Sequence, residues 1–363
     1  MVLLWSCDAS HSKDVAVSFM ATTTGALTCV QLALDLDRIF DWDQSLTHLP
    51  AISRGISIEM ALNSLSQDSQ IFTLPSSRTL GYAVFGDPPG PGIPTILYFH
   101  GFPTSRIEGS FFTTTKIKVH VVAIDRPGMG LSSFQPSRRI LDWPADVLGL
   151  TEHLQIEKFH VAGASGGAPY ALVCAKDIPP TRLLSISVVS GIYPLSLGTE
   201  GMLLEARVLL YAAAWLPQFI MARLLDWEFG TAATNRDPKV FEDSFMKVID
   251  SRNERDRRCL DDVSFRKSMI ESMREAFRQG AMGPAWDCGL YPNWGFELEE
   301  LDAQNVLLWH GENDVNAPCA MAVKAEKLIK VPKLRVVEGE SHMSLSYHHI
   351  EEIVQTIVDL GLD

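Results

Sequence analysis

The sequence predicts an α/β fold in which a mostly parallel central sheet carries helices on both faces and is interrupted by an inserted helical cap. Two observations lead to this prediction. From residue 70 onward, short apolar runs alternate with segments of helical periodicity, which is typical of buried parallel strands joined by helices. Residues 193–301 lack any strand-like run and are far too long to be a structureless connection.

Six apolar runs are predicted to be strands, because each is short and is bounded by Gly, Pro or polar residues. They lie at residues 93–100, 119–124, 159–162, 183–189, 306–309 and 334–337. Between them, Val147, Leu150 and Leu154 show the spacing of one helix face. The runs and the helices between them predict a core made of residues 71–192 and 302–363.

The region between the two core segments is predicted to be a cap of helices inserted over the carboxyl edge of the sheet. Helical patterning covers residues 203–225, 239–252 and 265–279. Its Leu, Met and aromatic side chains are expected to line an apolar pocket or to pack the helices on one another. The pocket candidates are Met202, Leu203, Leu209, Tyr211, Trp215 and Met221.

Residues 1–70 form an N-terminal extension whose structure the pattern does not define. Residues 15–34 are uncharged but diluted by Ser, Thr and Gln, so a membrane anchor is disfavoured. The interpretations left open are a short amphipathic helix packed on the main domain, a poorly ordered extension, or a natural start at Met60. Asp8 and Asp14 fit neither a secretory signal nor a mitochondrial presequence, and a cytoplasmic location is therefore expected.

Composition disfavours several classes of partner. The chain has 31 Lys and Arg against 44 Asp and Glu, a net charge of −13, so nucleic acid is not an expected partner. Its six cysteines contain no C-x-x-C pair, so neither a zinc ribbon nor a redox motif is expected. No dinucleotide, P-loop or H-E-x-x-H motif occurs either. We therefore expect a small-molecule substrate and neither cofactor nor metal.

One short motif points to nucleophilic catalysis. Ser165 lies in Gly163-Ala164-Ser165-Gly166-Gly167, directly between a predicted strand and a predicted helix. A serine on such a sharp turn projects its hydroxyl above the sheet, and glycines at 163 and 167 let strand and helix approach closely. The context therefore predicts that Ser165 is a nucleophile.

A serine nucleophile needs a base and an acid that orients the base. His342 follows the predicted strand at 334–337, and Asp314 follows the one at 306–309. The chain order Ser165, Asp314, His342 suits a nucleophile on this kind of sheet, and the carboxyl ends of parallel strands meet at one edge. Glu312 is an alternative acid, although Asp314 reaches further past the strand end.

The segment His100-Gly101-Phe102-Pro103 follows another predicted strand. Since Pro103 has no N–H, the backbone N–H of Phe102 is predicted to form an oxyanion hole together with that of Gly166, at the start of the helix after Ser165. His100 is expected to tie adjacent loops together rather than to carry a proton.

These motifs together resemble the α/β-hydrolase superfamily from about residue 80 to the C-terminus. They are the segments at 100–103 and 163–167, Asp-Arg-Pro-Gly-Met-Gly at 125–130, His-Gly-Glu-Asn-Asp at 310–314 and Gly-Glu-Ser-His at 339–342. The resemblance implies a Ser–His–Asp hydrolase with a helical cap, and its Gly-x-x-Asp pattern favours Asp314 over Glu312. The first motif also resembles epoxide hydrolases, but those attack with an aspartate where this chain has Ser165.

The expected activity is hydrolysis of an ester, thioester or lactone of a small, largely apolar substrate through an acyl-enzyme. Two alternatives stay open. The same triad could serve C–C bond cleavage, lyase chemistry or lactone formation, or the scaffold could be a non-catalytic small-molecule-binding protein.

Overall fold

The computed structural model describes residues 15–23, 26–34, 67–301, 305–330 and 332–360. The chain divides into two compact units, residues 1–63 and 64–363. In the first unit, strands β1 (Val15–Thr23) and β2 (Ala26–Leu34) pair antiparallel. Of the interpretations left open for residues 1–70, the amphipathic helix therefore does not apply to these two segments, whose Val and Thr content suits strands better than a helix. None of the described helices is long and apolar enough to cross a membrane.

The second unit is built on an eight-stranded sheet, and this confirms the predicted fold class. In space the strands run in the order β10-β9-β8-β7-β5-β6-β4-β3, and the six from β10 to β6 are parallel. Their bounds are β3 (Gln70–Thr73), β4 (Thr79–Gly86), β5 (Thr95–Phe99), β6 (His120–Ile124), β7 (Phe159–Ala164), β8 (Leu183–Val189), β9 (Val306–Gly311) and β10 (Pro332–Val337).

Sequence analysis missed the last two strands at one end of the sheet, where the pairing is antiparallel. β4 pairs antiparallel with β6, and β3 pairs with β4. The apolar pattern of β4 is interrupted by Gly81, where a Cβ would lie 2.6 Å from that of Leu131. A glycine required by a close neighbour weakens the local strand signal, although the strand itself is well paired.

In the part of the chain that the structure describes, ten α-helices of six or more residues surround or interrupt the sheet, and six of them, α3 to α8, lie between β8 and β9. They are α1 (Trp143–His153), α2 (Ala168–Asp177), α3 (Leu204–Trp215), α4 (Gln218–Leu225), α5 (Pro238–Ile249), α6 (Glu254–Cys259), α7 (Val263–Ala276), α8 (Met282–Leu290), α9 (Cys319–Leu328) and α10 (His342–Asp359). Three further helical elements are used below. They are a 3₁₀ helix at Arg106–Thr114, a π-helical turn at Asp226–Gly230 and a short helical turn at Thr231–Ala233. The boundaries of a separate cap stay a prediction, because residues 64–363 form one compact unit.

The sheet is covered on both faces, as its sequence pattern requires. Along β5, Leu97 and Phe99 lie in the larger apolar cluster, which contains α2, whereas Ile96 and Tyr98 lie in the cluster that contains α10. Successive side chains of a strand point to opposite faces, so a strand buried on both sides is a continuous apolar run. The loops that leave the carboxyl ends of β5, β7, β9 and β10 carry the residues of the candidate site.

Candidate active site

Ser165 lies at the sharp turn between β7 and α2. Its φ is +48°, a left-handed conformation that costs a non-glycine residue about 1–3 kcal/mol. Gly163 allows this turn, because a Cβ there would lie 2.8 Å from that of Ala171 in α2. The serine is thus held at the N-terminal end of a helix by the surrounding packing.

Three side chains from distant parts of the chain meet at this turn. The Nε2 atom of His342 is 2.9 Å from Oγ of Ser165, and Nδ1 of the same ring is 2.7 Å from Oδ2 of Asp314. This is the arrangement in which an imidazole can take a proton from a hydroxyl while a carboxylate holds its other nitrogen.

Asp314 is buried and firmly placed. Its Oδ1 accepts hydrogen bonds from the backbone N–H groups of Asn316 and Ala317, at 2.8 and 2.9 Å. Nε2 of His310 lies 3.3 Å from Oδ2 and also bonds the carbonyl of Ala317. Burial alone would raise the pKa of Asp314, but His342 and His310 outweigh it and hold that pKa well below its usual range.

The pKa of His342 is raised above its ordinary value of 6.5. Burial lowers it, but the charge of Asp314 and its hydrogen bond to the ring outweigh this effect; Asp256 adds in the same direction and Arg252 opposes it. The imidazole therefore sits in an environment that stabilises its protonated form, which is what a base needs after it has accepted a proton.

Glu312, the alternative acid, points elsewhere. It is exposed, and its Oε2 accepts a hydrogen bond from the N–H of Gly339 at 3.1 Å. Of the two acids proposed from the sequence, Asp314 is the one in contact with His342.

The two predicted oxyanion donors come from loops that abut one another. A Cβ on Gly166 would lie 2.8 Å from that of Phe102, so the backbone of residue 166 passes directly beside residue 102. Gly166 is the second residue of the 3₁₀ turn Ser165–Gly167, which continues into α2. Backbone N–H groups at a helix start favour a developing negative charge.

His100 and Arg126 hold the loop that carries Phe102. His100 is buried; its Nδ1 donates to the carbonyl of Gly101 at 2.9 Å, and its Nε2 accepts from the N–H of Arg126 at 3.2 Å. The Arg126 guanidinium donates to the carbonyls of His100 and Gly101. Burial, followed by the charge of Arg126, lowers the pKa of His100 well below its usual value.

Asp287 of α8 balances the charges under this loop. Its carboxylate pairs with Arg126 at 2.9 Å and Arg138 at 2.7 Å, and it accepts hydrogen bonds from the hydroxyls of Tyr170 and Tyr291. Burial would raise its pKa, but the two arginines hold it well below its usual range. A residue from the segment between β8 and β9 thus supports the loop after β5.

Comparison with known families identifies the fold. The alpha/beta hydrolase family matches residues 96–356, which is most of the chain. The chain belongs to the alpha/beta hydrolase family. This finding confirms the resemblance that the sequence motifs indicated.

Solved structures of alpha/beta hydrolases agree in fold at low identity. MGS-M2, an enzyme from a Medee basin deep-sea metagenome library, is 14% identical with a TM-score of 0.59, covering 81% of this chain and 98% of that one. Esterase RhEst1 from Rhodococcus sp. is 15% identical with a TM-score of 0.55, covering 81% and 99%. Est816, described as an N-acyl homoserine lactone degrading enzyme, is 19% identical with a TM-score of 0.52, covering 78% and 98%. A search of curated proteins found no match.

In this alpha/beta hydrolase, a cavity of about 70 Å³ opens beside Ser165 and His342. Apolar side chains form most of its wall: Phe111 and Phe112 precede β6, Phe265 and Met269 belong to α7, and Ile350 and Ile353 to α10. Ligand pockets are commonly several hundred Å³, so the space next to the hydroxyl suits a small apolar group.

The six residues that sequence analysis proposed for the pocket do not line this cavity. Tyr211 and Trp215 are exposed, with 44% and 87% of their surface accessible, whereas Met202 and Met221 are buried in the core. An amphipathic pattern shows that a helix buries one face, but not which neighbour that face meets. α7, rather than α3, supplies the wall.

Glu108 is a residue of the site that sequence analysis missed. It lines the cavity, and its Oε2 accepts hydrogen bonds from the N–H of Gly101 at 2.6 Å and from the hydroxyl of Thr104 at 2.7 Å. Burial raises the pKa of its carboxyl group despite these hydrogen bonds. The sequence offers no signal for it, since a glutamate in a polar segment is ordinarily on the surface.

Arg126 and His310 belong to motifs that the sequence analysis quoted, although their contacts were not predicted. Both lie next to a glycine-containing loop at the end of a strand, and this position is the signal by which sequence analysis could have assigned them to the site. Asp256 and Asp287 carried none, because their burial depends on elements far away in the chain. Within the described ranges, no group of His, Cys, Asp or Glu is arranged to hold a metal ion.

Proposed function

We propose that this chain is a serine hydrolase that cleaves an ester, thioester or lactone of a small, largely apolar substrate through an acyl-enzyme. The observation that carries the proposal is the pair of contacts made by His342, 2.9 Å to Oγ of Ser165 and 2.7 Å to Asp314. A serine hydroxyl is a weak nucleophile unless a base removes its proton as it attacks, and here the base is in hydrogen-bond reach.

In the proposed reaction, Oγ of Ser165 attacks the substrate carbonyl while His342 takes the hydroxyl proton. The N–H groups of Phe102 and Gly166 stabilise the oxygen that becomes negative, and Asp314 stabilises the imidazolium. His342 then gives the proton to the leaving alcohol, thiol or lactone oxygen, and the acyl-enzyme forms. Water, activated by the same imidazole, releases the acid and restores Ser165.

The cavity supports a small substrate. It adjoins Ser165 and His342 and offers about 70 Å³ between phenylalanine, methionine and isoleucine side chains, so a short acyl or alcohol group fits best. Lactones belong in the substrate panel because two alpha/beta hydrolases of similar fold are described as an N-acyl homoserine lactone degrading enzyme and an enol-lactonase.

The chain's location is proposed to be cytoplasmic.

The test combines turnover with active-site labelling. The purified protein is expected to hydrolyse short aryl esters and to react with a fluorophosphonate, and Ser165→Ala should lose both, with kcat falling by about 10⁴-fold or more. Ser190, a serine of the same cavity whose hydroxyl bonds the carbonyl of His342, provides the matched control: Ser190→Ala keeps the label.

Labelling that survives in Ser165→Ala would refute the assignment of the nucleophile. If the protein turns over no ester, thioester or lactone, and if His342→Ala labels with the fluorophosphonate to the same extent as wild type, a non-catalytic binding protein would be favoured. Turnover that requires Ser165 but is confined to carbon–carbon bonds or to elimination would move the protein to the alternative reaction classes.

A further inference from the structure

Helix α6 contacts the start of the helix that carries His342. Asp256 of α6 is fully buried, and Oδ1 accepts hydrogen bonds from the backbone N–H groups of Met343 and Ser344, at 2.8 and 2.9 Å. Its Oδ2 accepts from the hydroxyl of Ser341 at 2.9 Å. His342 therefore lies between residues that are tied to one carboxylate.

These hydrogen bonds provide acceptors for backbone N–H groups at the start of α10. The first N–H groups of a helix have no partner within the helix, and α10 begins at His342. Ser341 is its N-cap residue, and its backbone N–H donates to the hydroxyl of Ser344 at 2.8 Å. Asp256 supplies a negative charge and two acceptors at the same end, where the helix dipole favours an anion.

A neighbouring residue of α6 contacts the same loop. The Nε atom of Arg255 donates to the carbonyl of Gly339 at 3.0 Å, and its guanidinium lies 3.5 Å from Glu340. Just before α6, Arg252 donates to the side chain of Asn316 in the loop of Asp314, at 2.6 Å. The segment between β8 and β9 thus bonds both the loop before His342 and the loop that carries Asp314.

We propose that Asp256 is a positioning residue for His342: by binding residues 341, 343 and 344 it fixes the direction of the imidazole between Ser165 and Asp314. The inference rests on the proposed function, in which His342 is the base. It follows that α6 must stay in contact with α10 during turnover. If the segment between β8 and β9 opens to admit substrate, the opening has to involve its other helices.

The charge of Asp256 acts on the imidazole as well. The charged groups that face His342 are Asp314 after β9, Asp256 of α6, Arg252 before α6 and Glu108 of the 3₁₀ helix. Removing the negative charge of Asp256 leaves Arg252 in place and disfavours the imidazolium, so the pKa of His342 must fall. The pH at which kcat/KM is half-lost on acidification must fall with it, because the base works in its neutral form.

Two substitutions separate position from charge. In Asp256→Asn, the amide oxygen can still accept from Met343 and Ser344 and the amide NH₂ can face Ser341, so mainly the charge is lost. Asp256→Ala removes the contacts too, and is expected to lower kcat on an aryl ester about tenfold or more with KM within about twofold, since small misplacements of a reacting group are costly.

Asp262 is the matched control, because it is the side-chain N-cap of α7 and also contacts α10, through the hydroxyl of Tyr347 at 3.0 Å. It has no contact with residues 341–344 among the hydrogen bonds of the described chain. Asp262→Ala is expected to lower the temperature of thermal unfolding in the manner of a lost helix cap, and to leave kcat and the pH profile within about twofold of wild type.

One measurement does not need turnover. The ring-proton resonance of His342, assigned by its loss in His342→Gln, is titrated in the full chain and in Asp256→Asn, both carrying Ser165→Ala. A lower pKa in Asp256→Asn supports the action of the Asp256 charge on the imidazole even if no substrate has been found, and an unchanged pKa contradicts it. The positioning role is decided by kcat: an Asp256→Ala protein that folds and keeps the wild-type kcat overturns the proposal. Should Asp256→Ala fail to fold, Ser341→Ala removes the contact to Oδ2 and leaves the charge in place, and a wild-type kcat in that variant overturns the proposal.

Discussion

The two halves of the segment between β8 and β9 differ in what their helices contact. The first half, from α3 to the π-helical turn, exposes several large apolar side chains, including Trp215 and Trp227, which are 87% and 80% accessible. The second half, α6 to α8, buries two carboxylates: Asp256 accepts hydrogen bonds from the start of the helix that carries His342, and Asp287 pairs with the arginine beneath the loop of Phe102. Both halves are helical and rich in apolar residues, yet among the described residues the buried carboxylates that bond the loops of the candidate site come from the second.

The difference shows that amphipathic periodicity and functional involvement are separate properties. Inward faces are present in both halves, with Leu210 and Met221 buried in the first and Phe265 and Met269 in the second. The first half packs against α8, while α7 packs against the 3₁₀ helix that contains Glu108. Position relative to the sheet edge, rather than hydrophobicity, determines which helix lines the cavity.

Asp287 provides the largest expected effect. Asp287→Ala leaves the guanidinium groups of Arg126 and Arg138 buried without their anion, and the free energy of unfolding should fall by about 3–5 kcal/mol. Chemical denaturation followed by fluorescence measures it. The control is Asp243→Ala, which breaks an exposed pair with Lys239 and should cost far less, because exposed ion pairs contribute little to stability. If the free energy of unfolding falls equally in the two variants, buried and exposed carboxylates of the segment between β8 and β9 do not differ in their contribution to stability.

Met269 tests whether α7 forms the pocket wall. Met269→Ala enlarges the cavity beside Ser165, so the ratio of kcat/KM for six-carbon over two-carbon acyl esters should rise about tenfold, a change of about 1.4 kcal/mol in relative transition-state binding. Met282, a partly exposed methionine of α8 outside that cavity, is the matched control. A ratio that moves equally in Met282→Ala, or in neither variant, would contradict the assignment of the wall.

The smallest effect is expected in the first half. Trp215→Ser and Trp227→Ser replace side chains that are mostly in water, so the free energy of unfolding should change by less than about 0.5 kcal/mol. The acyl preference and the pH dependence of kcat/KM should match wild type, because neither residue faces His342 or lines the cavity. Thermal unfolding and the same ester series check this. A shift of acyl preference in either variant would place the first half in the substrate path after all.

Prediction from sequence worked best where one local rule applies. Ser165, Asp314 and His342 were placed on loops after β7, β9 and β10, and the structure brings the three together because parallel strands share a carboxyl edge. Their catalytic roles, and those of Phe102 and Gly166, stay predictions until the activity is measured. The strand at residues 183–189 agrees at both ends with β8, since a continuous apolar run bounded by polar residues is a clear signal.

Prediction failed where the outcome depends on distant partners. The strands β1 and β2 were not predicted, and the structure of residues 1–70 was left open, because an uncharged segment without clear periodicity does not separate a helix from a strand. Tyr211 and Trp215 were proposed for the pocket from composition alone. Asp256, Asp287 and Glu108 were not identified, because a charged residue is normally exposed and becomes an interior group only when its counter-charges or donors meet it in the fold.

The amino-acid sequence by itself determined the strand–helix alternation, the Gly-rich turn at Ser165 and the loops of Asp314 and His342, because periodicity and glycine spacing act over a few residues. Only the tertiary structure decided that α6 and α8 lend their carboxylates to those loops and that α7 forms the cavity wall. Burial of a charge is favourable only in the presence of groups that compensate its lost hydration. In this chain the donors that bond Asp256 are more than 80 residues away from it, and the two arginines that pair with Asp287 are more than 140 residues away.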